Sequence, residues 1–194
     1  KDCQKNAWKT HKEECKMLKS LKSIADDESW EFMVFGRILL QIERDFGDEE
    51  KPTKKIDTLV NFLELESNYD RLTADQQEDM ELFLIKFQRY WKKPIPRAVR
   101  SSRKLLDLFA AIKNNQFAMC DEESGDYDIG TATYIDHALV NHSCRPNAYP
   151  VFNGTNMIFK ALRKIAPGEE ITHAYTDTIS PIQTRREYLN DVWR

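Results

Sequence analysis

The sequence predicts an α+β chain, a small irregular β fold carrying a helical insertion, and three observations lead there. Between residues 20 and 113, apolar side chains recur at helical spacing. From residue 114 onward, the pattern shifts to short runs separated by Gly, Pro and Asn turns. Ahead of both, residues 1–19 are polar, lysine-rich and carry cysteine and histidine. The expected domains are therefore 1–19, 20–113 and 114–194.

The helical elements come first. Phe35, Ile38, Leu39, Ile42 and Phe46 form one stripe, closed by Gly47 and Pro52. Ile56, Leu59, Val60 and Leu63 give a second, shorter one. Thr73 followed by Gln76 has the spacing of a capping box, and Met80, Phe83, Leu84, Phe87 and Trp91 share the face that follows. Pro94 and Pro96 break that run, and Ser102 precedes a fourth stripe of Leu105, Leu106, Phe109 and Ile112. These stripes are expected to bury one another. In the last region, Asn153-Gly154 between Tyr149–Phe152 and Asn156–Leu162 signals a hairpin. Pro167-Gly168 turns the chain into the alternating run Glu170–Tyr175, and Thr184–Trp193 reads as a final helix.

Composition narrows the class of function. With 194 residues, 41% hydrophobic and 31% charged, the chain is a globular protein rather than a disordered or collagen-like one. No run of eighteen apolar residues exists, so no membrane span is expected. The opening KDCQKNAWKTHKEEC has no apolar core followed by a small-residue cleavage site, so a secretory signal is not expected either. A net charge of −3 disfavours duplex nucleic acid. The charge is uneven, with eight basic residues and no acid over 85–104 and five acids over 121–128. In the basic stretch Tyr90 and Trp91 offer the alternative of a stacking platform. The acidic stretch would favour a basic peptide. Four scattered cysteines do not make a disulfide scaffold, and a reducing compartment is expected.

Two clusters carry chemistry. Cys3, His11 and Cys15 have metal-ligand spacing, and a thiolate and an imidazole separated by three residues meet across one helical turn. Structural zinc takes four ligands and this segment offers three. Either the fourth lies upstream of Lys1, or the ligands belong to two sites that both begin earlier. The second cluster is NHSCRPNA, Asn141 to Ala148, followed about thirty residues later by PGEEITHAYTD with Tyr175. Asn and Ser side chains hold tight turns, Pro146 fixes φ, and a buried tyrosine hydroxyl aims a donor and an acceptor at a nitrogen or a developing charge.

NHSCRPN followed by GEEITHAYTD resembles the two signature motifs of the SET domain, the fold of protein lysine methyltransferases. CQKNAWKTHKEEC resembles the second half of a MYND zinc finger, and the combination resembles the SMYD family, in which a finger and a helical segment interrupt the SET domain. NNQFAMCD is similar to that family's Asn-x-Phe segment, and TRREYL to the helix after its tyrosine.

The resemblance implies a SET-type fold and transfer of a methyl group from S-adenosylmethionine to a lysine amine of a protein or peptide, a histone tail among the candidates, with a role in chromatin regulation. It implies that Asn141, His142 and Asn115 contact the methyl donor, that Tyr175 is the catalytic residue at the channel joining methyl and amine, and that Phe117 helps to wall that channel. It implies zinc as well: Cys3 in one finger site, His11 with Cys15 in the other, and Cys144 in a third site with a terminal cysteine cluster. A nuclear or cytoplasmic monomer, with further protein partners held through the finger, is the corresponding expectation.

Three departures from the family bear on this. The glycine-rich opening strand, the earlier zinc ligands and the terminal cysteine cluster have no counterpart in the sequence, as expected of a chain truncated at both ends. The alternative reading is a catalytically inactive SET and MYND module that binds proteins. The chemistry itself asks little of a proton-transfer group. The amine must be neutral, its ordinary pKa is about 10.4, and no His–Asp pair marks a dedicated base, so deprotonation is expected to precede transfer.

Overall fold

The computed structural model of the chain describes residues 2–19, 29–47, 49, 62–121 and 126–192. The chain divides into two compact units, Lys1–Asp57 with Ser67–Ala111, and Thr58–Glu66 with Ile112–Arg194.

The first unit is helical. Helix α1 spans Asp2–Lys19, α2 Ser29–Phe46, α3 Ala74–Tyr90 and α4 Ser102–Asn114, whose last turn passes into the second unit. The predicted stripes do pack on one another. Phe35, Ile38, Leu39, Ile42 and Phe46 are all buried, as are Phe83, Leu84 and Phe87 of α3 and Leu105, Leu106 and Phe109 of α4. Phe83 stacks on Phe109 at 3.8 Å, and Phe35 meets Phe87 edge-on at 4.8 Å. Burying each such ring stabilises the unit by about 1.5–3 kcal/mol. Gly36 sits where α2 passes these rings: a Cβ there would stand 3.3 Å from both Tyr90 and Trp91, closer than rigid rings yield easily.

Local chemistry sets the helix ends. The capping box forms in full, with the Gln76 backbone N–H donating to Thr73 Oγ1 and the Thr73 N–H donating to Gln76 Oε1. Gly47 takes φ 58° after α2, the left-handed conformation that ends a helix without cost. The fourth helix is capped one residue earlier than expected, by Ser101 Oγ accepting the Lys104 N–H. Ile56, Leu59 and Val60 lie outside the described residues, and Leu63 falls in a single 3₁₀ turn, Phe62–Glu64, and is exposed. Tyr90 and Trp91 are core residues at 0% and 6% exposure, so the stacking platform read from the basic stretch is not formed; Lys93 in turn pairs with Glu43 at 2.6 Å.

Residues 2–19 form one continuous helix. His11 Nε2 and Cys15 Sγ approach to 3.1 Å across one turn, as the spacing requires. Cys3 lies in the first turn, and its side chain is outside the described set. An α-helix rises 1.5 Å per residue, so the Cys3 backbone is roughly 12 Å from that of His11 along the axis, and the two cannot serve one metal ion through this helix. Among the described residues, no group of three His, Cys, Asp or Glu side chains is placed to hold a metal. Glu14, 2% exposed on the same helix, is instead held by two hydrogen bonds from the Arg37 guanidinium of α2. Desolvation, with that carboxylate nearby, pushes the Tyr90 hydroxyl up to about 12.

Among its described residues, the second unit carries three separate two-stranded sheets. Strands β1 (Gln116–Asp121) and β2 (Asp126–Thr133) pair antiparallel with an irregularity between Met119 and Asp121; Glu122 and Glu123 of the acidic stretch lie outside the described residues. Strands β3 (Asn141–His142) and β6 (Thr172–His173) pair parallel over two residues each. Strands β4 (Ala148–Asn153) and β5 (Asn156–Ala161) form the predicted hairpin, with Gly154 at φ 59° in the first of two turn positions. Helix α5 spans Ile182–Val192. The unit is thus a mixed α+β fold with small irregular sheets. No helix of the described residues is long and apolar enough to cross a membrane.

Candidate active site

The site is built where β3 and β6 meet. Asn141 registers with Thr172 and His142 with His173, and the Ser143 N–H donates to the His173 carbonyl at 2.9 Å. Two residue pairs of ladder are too few to hold a loop crossing of about thirty residues, because closing a loop of that length costs entropy. Side chains complete the clamp. Asn147, 2% exposed, donates to the Glu170 carbonyl at 2.7 Å and to Glu169 Oε1 at 3.1 Å, while its Oδ1 accepts the Thr172 N–H at 2.9 Å. Its own carbonyl accepts the Leu162 N–H. One buried amide therefore ties the NHSCRPN turn to the PGEEI turn.

Glu169 sits at the outer edge of that clamp. The Arg163 guanidinium, the Ala166 N–H and the Asn147 amide pull its carboxyl down to about 2. A carboxyl whose folded value lies below its ordinary 4.5 stabilises the fold above that value, and the stabilisation drains away as pH falls toward 2. His173 acts in the same direction at higher pH. Burial keeps its imidazole below the ordinary 6.5, so the unfolded chain takes up a proton first as pH drops. The melting temperature is expected to fall in two windows, below about pH 6.5 and again from about 4.5 to 2. In E169Q the second window shrinks, with Asp70 and Glu13, also held low by their cationic partners, keeping part of it, and the first remains. Melting curves at pH 7, 5 and 3 separate the two, and an unchanged acid window in E169Q would contradict the assignment.

Tyr175 follows β6. Its backbone N–H donates to His142 Nδ1 at 3.0 Å, and its hydroxyl donates to the Val140 carbonyl at 2.8 Å. Burial raises the hydroxyl above the ordinary tyrosine range, so it stays protonated. With the proton committed to Val140, the oxygen lone pairs are its means of engaging an incoming N–H. His142, accepting at Nδ1, carries its hydrogen on Nε2, which lies 3.3 Å from Cys144 Sγ. Burial, with Arg185 adding to it, lowers the His142 imidazole and favours this neutral form.

A pocket of about 330 Å³ opens beside Tyr175, its walls including Asn115, Phe117, Pro150, His173 and Tyr188. That size suits a small ligand or an extended side chain with part of a nucleoside. Among the residues expected from sequence, Asn115, Phe117 and Tyr175 come together on this pocket. Asn141 and His142 lie on the adjoining strand, outside its lining: the Asn141 amide donates to Glu170 Oε1 at 2.7 Å, and His142 reaches the site through the Tyr175 backbone. Cys144 is exposed. His11 and Cys15 are in the other unit.

His173 was not singled out from the sequence. It is 4% exposed, with Phe117, Phe159 and Tyr175 around it at ring-centre distances of 5.7, 5.1 and 4.8 Å. The signal was present in the alternation of Glu170–Tyr175, which puts residues 173 and 175 on one face of the strand.

The SET domain family model matches residues 40–176. The chain is 35% identical over 191 residues to the histone-lysine N-methyltransferase SMYD3 of Mus musculus, covering 97% of this chain and 42% of that protein. It is 34% identical to the same-named protein of Homo sapiens and 30% identical over 192 residues to the N-lysine methyltransferase SMYD2 of Rattus norvegicus. The chain spans 42% of the length of these curated relatives.

Proposed function

Because this chain belongs to the SET domain family and is related to the SMYD2 and SMYD3 methyltransferases, we propose that it forms part of an S-adenosylmethionine-dependent protein-lysine methyltransferase. The observation that carries this reading is Tyr175, fixed by its backbone to His142 of the NHSCRPN turn and by its hydroxyl to the Val140 carbonyl just before that turn, and set in the wall of a pocket shared with Asn115 and Phe117. When bound, S-adenosylmethionine would supply a methyl carbon activated by its sulfonium, with a neutral thioether as the leaving group. For the chain's own residues, the task is placement. Tyr175 accepts an N–H of the lysine amine and turns the lone pair toward the methyl, while Phe117 excludes water. Asn115, Asn141 and His142 are the residues proposed to hold the donor. The substrate is a lysine-bearing protein or peptide, a histone tail among the candidates, and the compartment nucleus or cytoplasm.

Zinc enters this reading only in part. His11 and Cys15 are a matched imidazole–thiolate pair, half of a tetrahedral set, and Cys144 is one exposed thiol. These residues would hold zinc together with ligands that the described residues do not supply, and no step of the transfer passes through them.

Calorimetric titration with S-adenosylmethionine tests the proposal. Saturable binding is expected, weakened about tenfold in N141A, as for loss of one good hydrogen bond. Asn141 is exposed, so its truncation leaves the melting temperature nearly unchanged. Absence of binding by the folded chain would favour the protein-binding module instead.

A further inference from the structure

His173 is a buried histidine; neither ring nitrogen closes a hydrogen bond of good geometry, and the one polar group that bears on the ring is the Ala174 backbone, which leaves at least one nitrogen without a partner. Leaving a buried polar group unsatisfied is destabilising, and an apolar side chain of similar size would avoid that cost among Phe117, Phe159 and Tyr175. The residue also lines the pocket that Tyr175 lines, with its two ring nitrogens themselves buried in that wall. Burial keeps the ring neutral, with the nearby Ala174 backbone offsetting part of that effect, and a neutral imidazole presents one acceptor nitrogen and one donor.

We propose that His173 is a positioning residue that sets product specificity: its ring nitrogen accepts one N–H of the lysine amine while the Tyr175 oxygen accepts another. The inference rests on the methyltransferase reading and deepens it. An unmethylated amine has an N–H for each acceptor even after its lone pair is turned toward the donor. Each methyl added removes one N–H, and a dimethylated amine retains at most one, so a methyl must face a lone pair. The pocket therefore favours the unmethylated amine and stops early in the methylation series.

Equilibrium binding tests this without turnover. The probes are Nα-acetyl-lysine amide and its Nε-monomethyl and Nε-dimethyl forms, with S-adenosylhomocysteine present. The unmodified chain is expected to hold the unmethylated probe about tenfold tighter than the dimethylated one, as for loss of one hydrogen bond. H173F brings that ratio to within twofold, H173Q retains it through the amide oxygen, and both bind S-adenosylhomocysteine as the unmodified chain does. A ratio that persists in H173F, or that is absent from the unmodified chain, overturns the inference while the methyltransferase reading stands. Failure of the unmodified chain to bind S-adenosylhomocysteine at all overturns both. Should H173F not fold, the ring ¹⁵N resonances of His173 decide: the unmethylated probe is expected to move them more than the dimethylated probe does, and equal or no movement counts against the proposal.

Discussion

Y175F is expected to lower the rate of methyl transfer by about 10²- to 10³-fold, the effect of removing one preorganised polar group at a reacting centre. The hydroxyl donates to the Val140 carbonyl, and in the proposed function its oxygen is the group that directs the amine. Phenylalanine keeps the ring contacts with His142 and His173, so the pocket wall is preserved. Folding loses one hydrogen bond, about 1 kcal/mol. Single-turnover transfer measured beside thermal melting separates the two effects. A variant that melts within a few degrees of the unmodified chain yet transfers at an undiminished rate would remove Tyr175 from the mechanism. Because burial raises the hydroxyl, it stays neutral through the range in which lysine begins to lose its proton. A rising rate toward alkaline pH therefore reports the amine rather than the tyrosine.

The second large effect concerns stability. N147A is expected to destabilise the SET unit by about 2–5 kcal/mol, because the Glu170 carbonyl and the Thr172 N–H lose their partner inside the fold. N147D should be no better. It keeps an acceptor for the Thr172 N–H but sets a carboxylate against the Glu170 carbonyl and the Glu169 carboxylate. Urea unfolding measures both variants, and a change under about 0.5 kcal/mol in either would show that the amide is not the tie described. The loss in N147A is expected to be non-additive with E169Q, since the two side chains share one hydrogen bond.

The sequence made some parts of this molecule legible and hid others, for physical reasons. Helices α2 and α3 were readable because a 3.6-residue period and a capping box are local properties of the chain, and the aromatic core followed from them. The β4–β5 hairpin was readable because glycine at a tight turn is equally local, although the turn is centred on Gly154 and Thr155, one residue later than expected. Strands β1 and β2 were not resolved as a pair. Their partners are set by cross-strand contacts and by an irregular register, neither of which leaves a period in the sequence. Asn147 is the plainest case: an asparagine inside a polar turn reads as surface, yet it is buried because three distant backbone and side-chain groups converge on it. The motif residues were found through a resemblance, and His173 escaped because its setting is a matter of burial. The zinc-finger expectation is met only to the extent of one pair: the helix brings His11 to Cys15, while no group of three metal ligands forms among the described residues.

The two-residue parallel pairing of β3 with β6 has a kinetic consequence. About thirty residues must be looped before the first of its contacts forms, so the entropy is spent ahead of any reward, and contacts of this kind arise late in folding. The same arithmetic governs the native state. A segment held by four residues of ladder and a few side-chain ties can open on its own, at a free energy well below that of global unfolding, while helices with buried aromatic faces stay closed. The amides of Ser143 and Tyr175 should exchange with deuterated solvent through such local openings, sooner than those of Phe35 or Phe87. The candidate site is, in that sense, hung on a seam that parts more easily than the helical core.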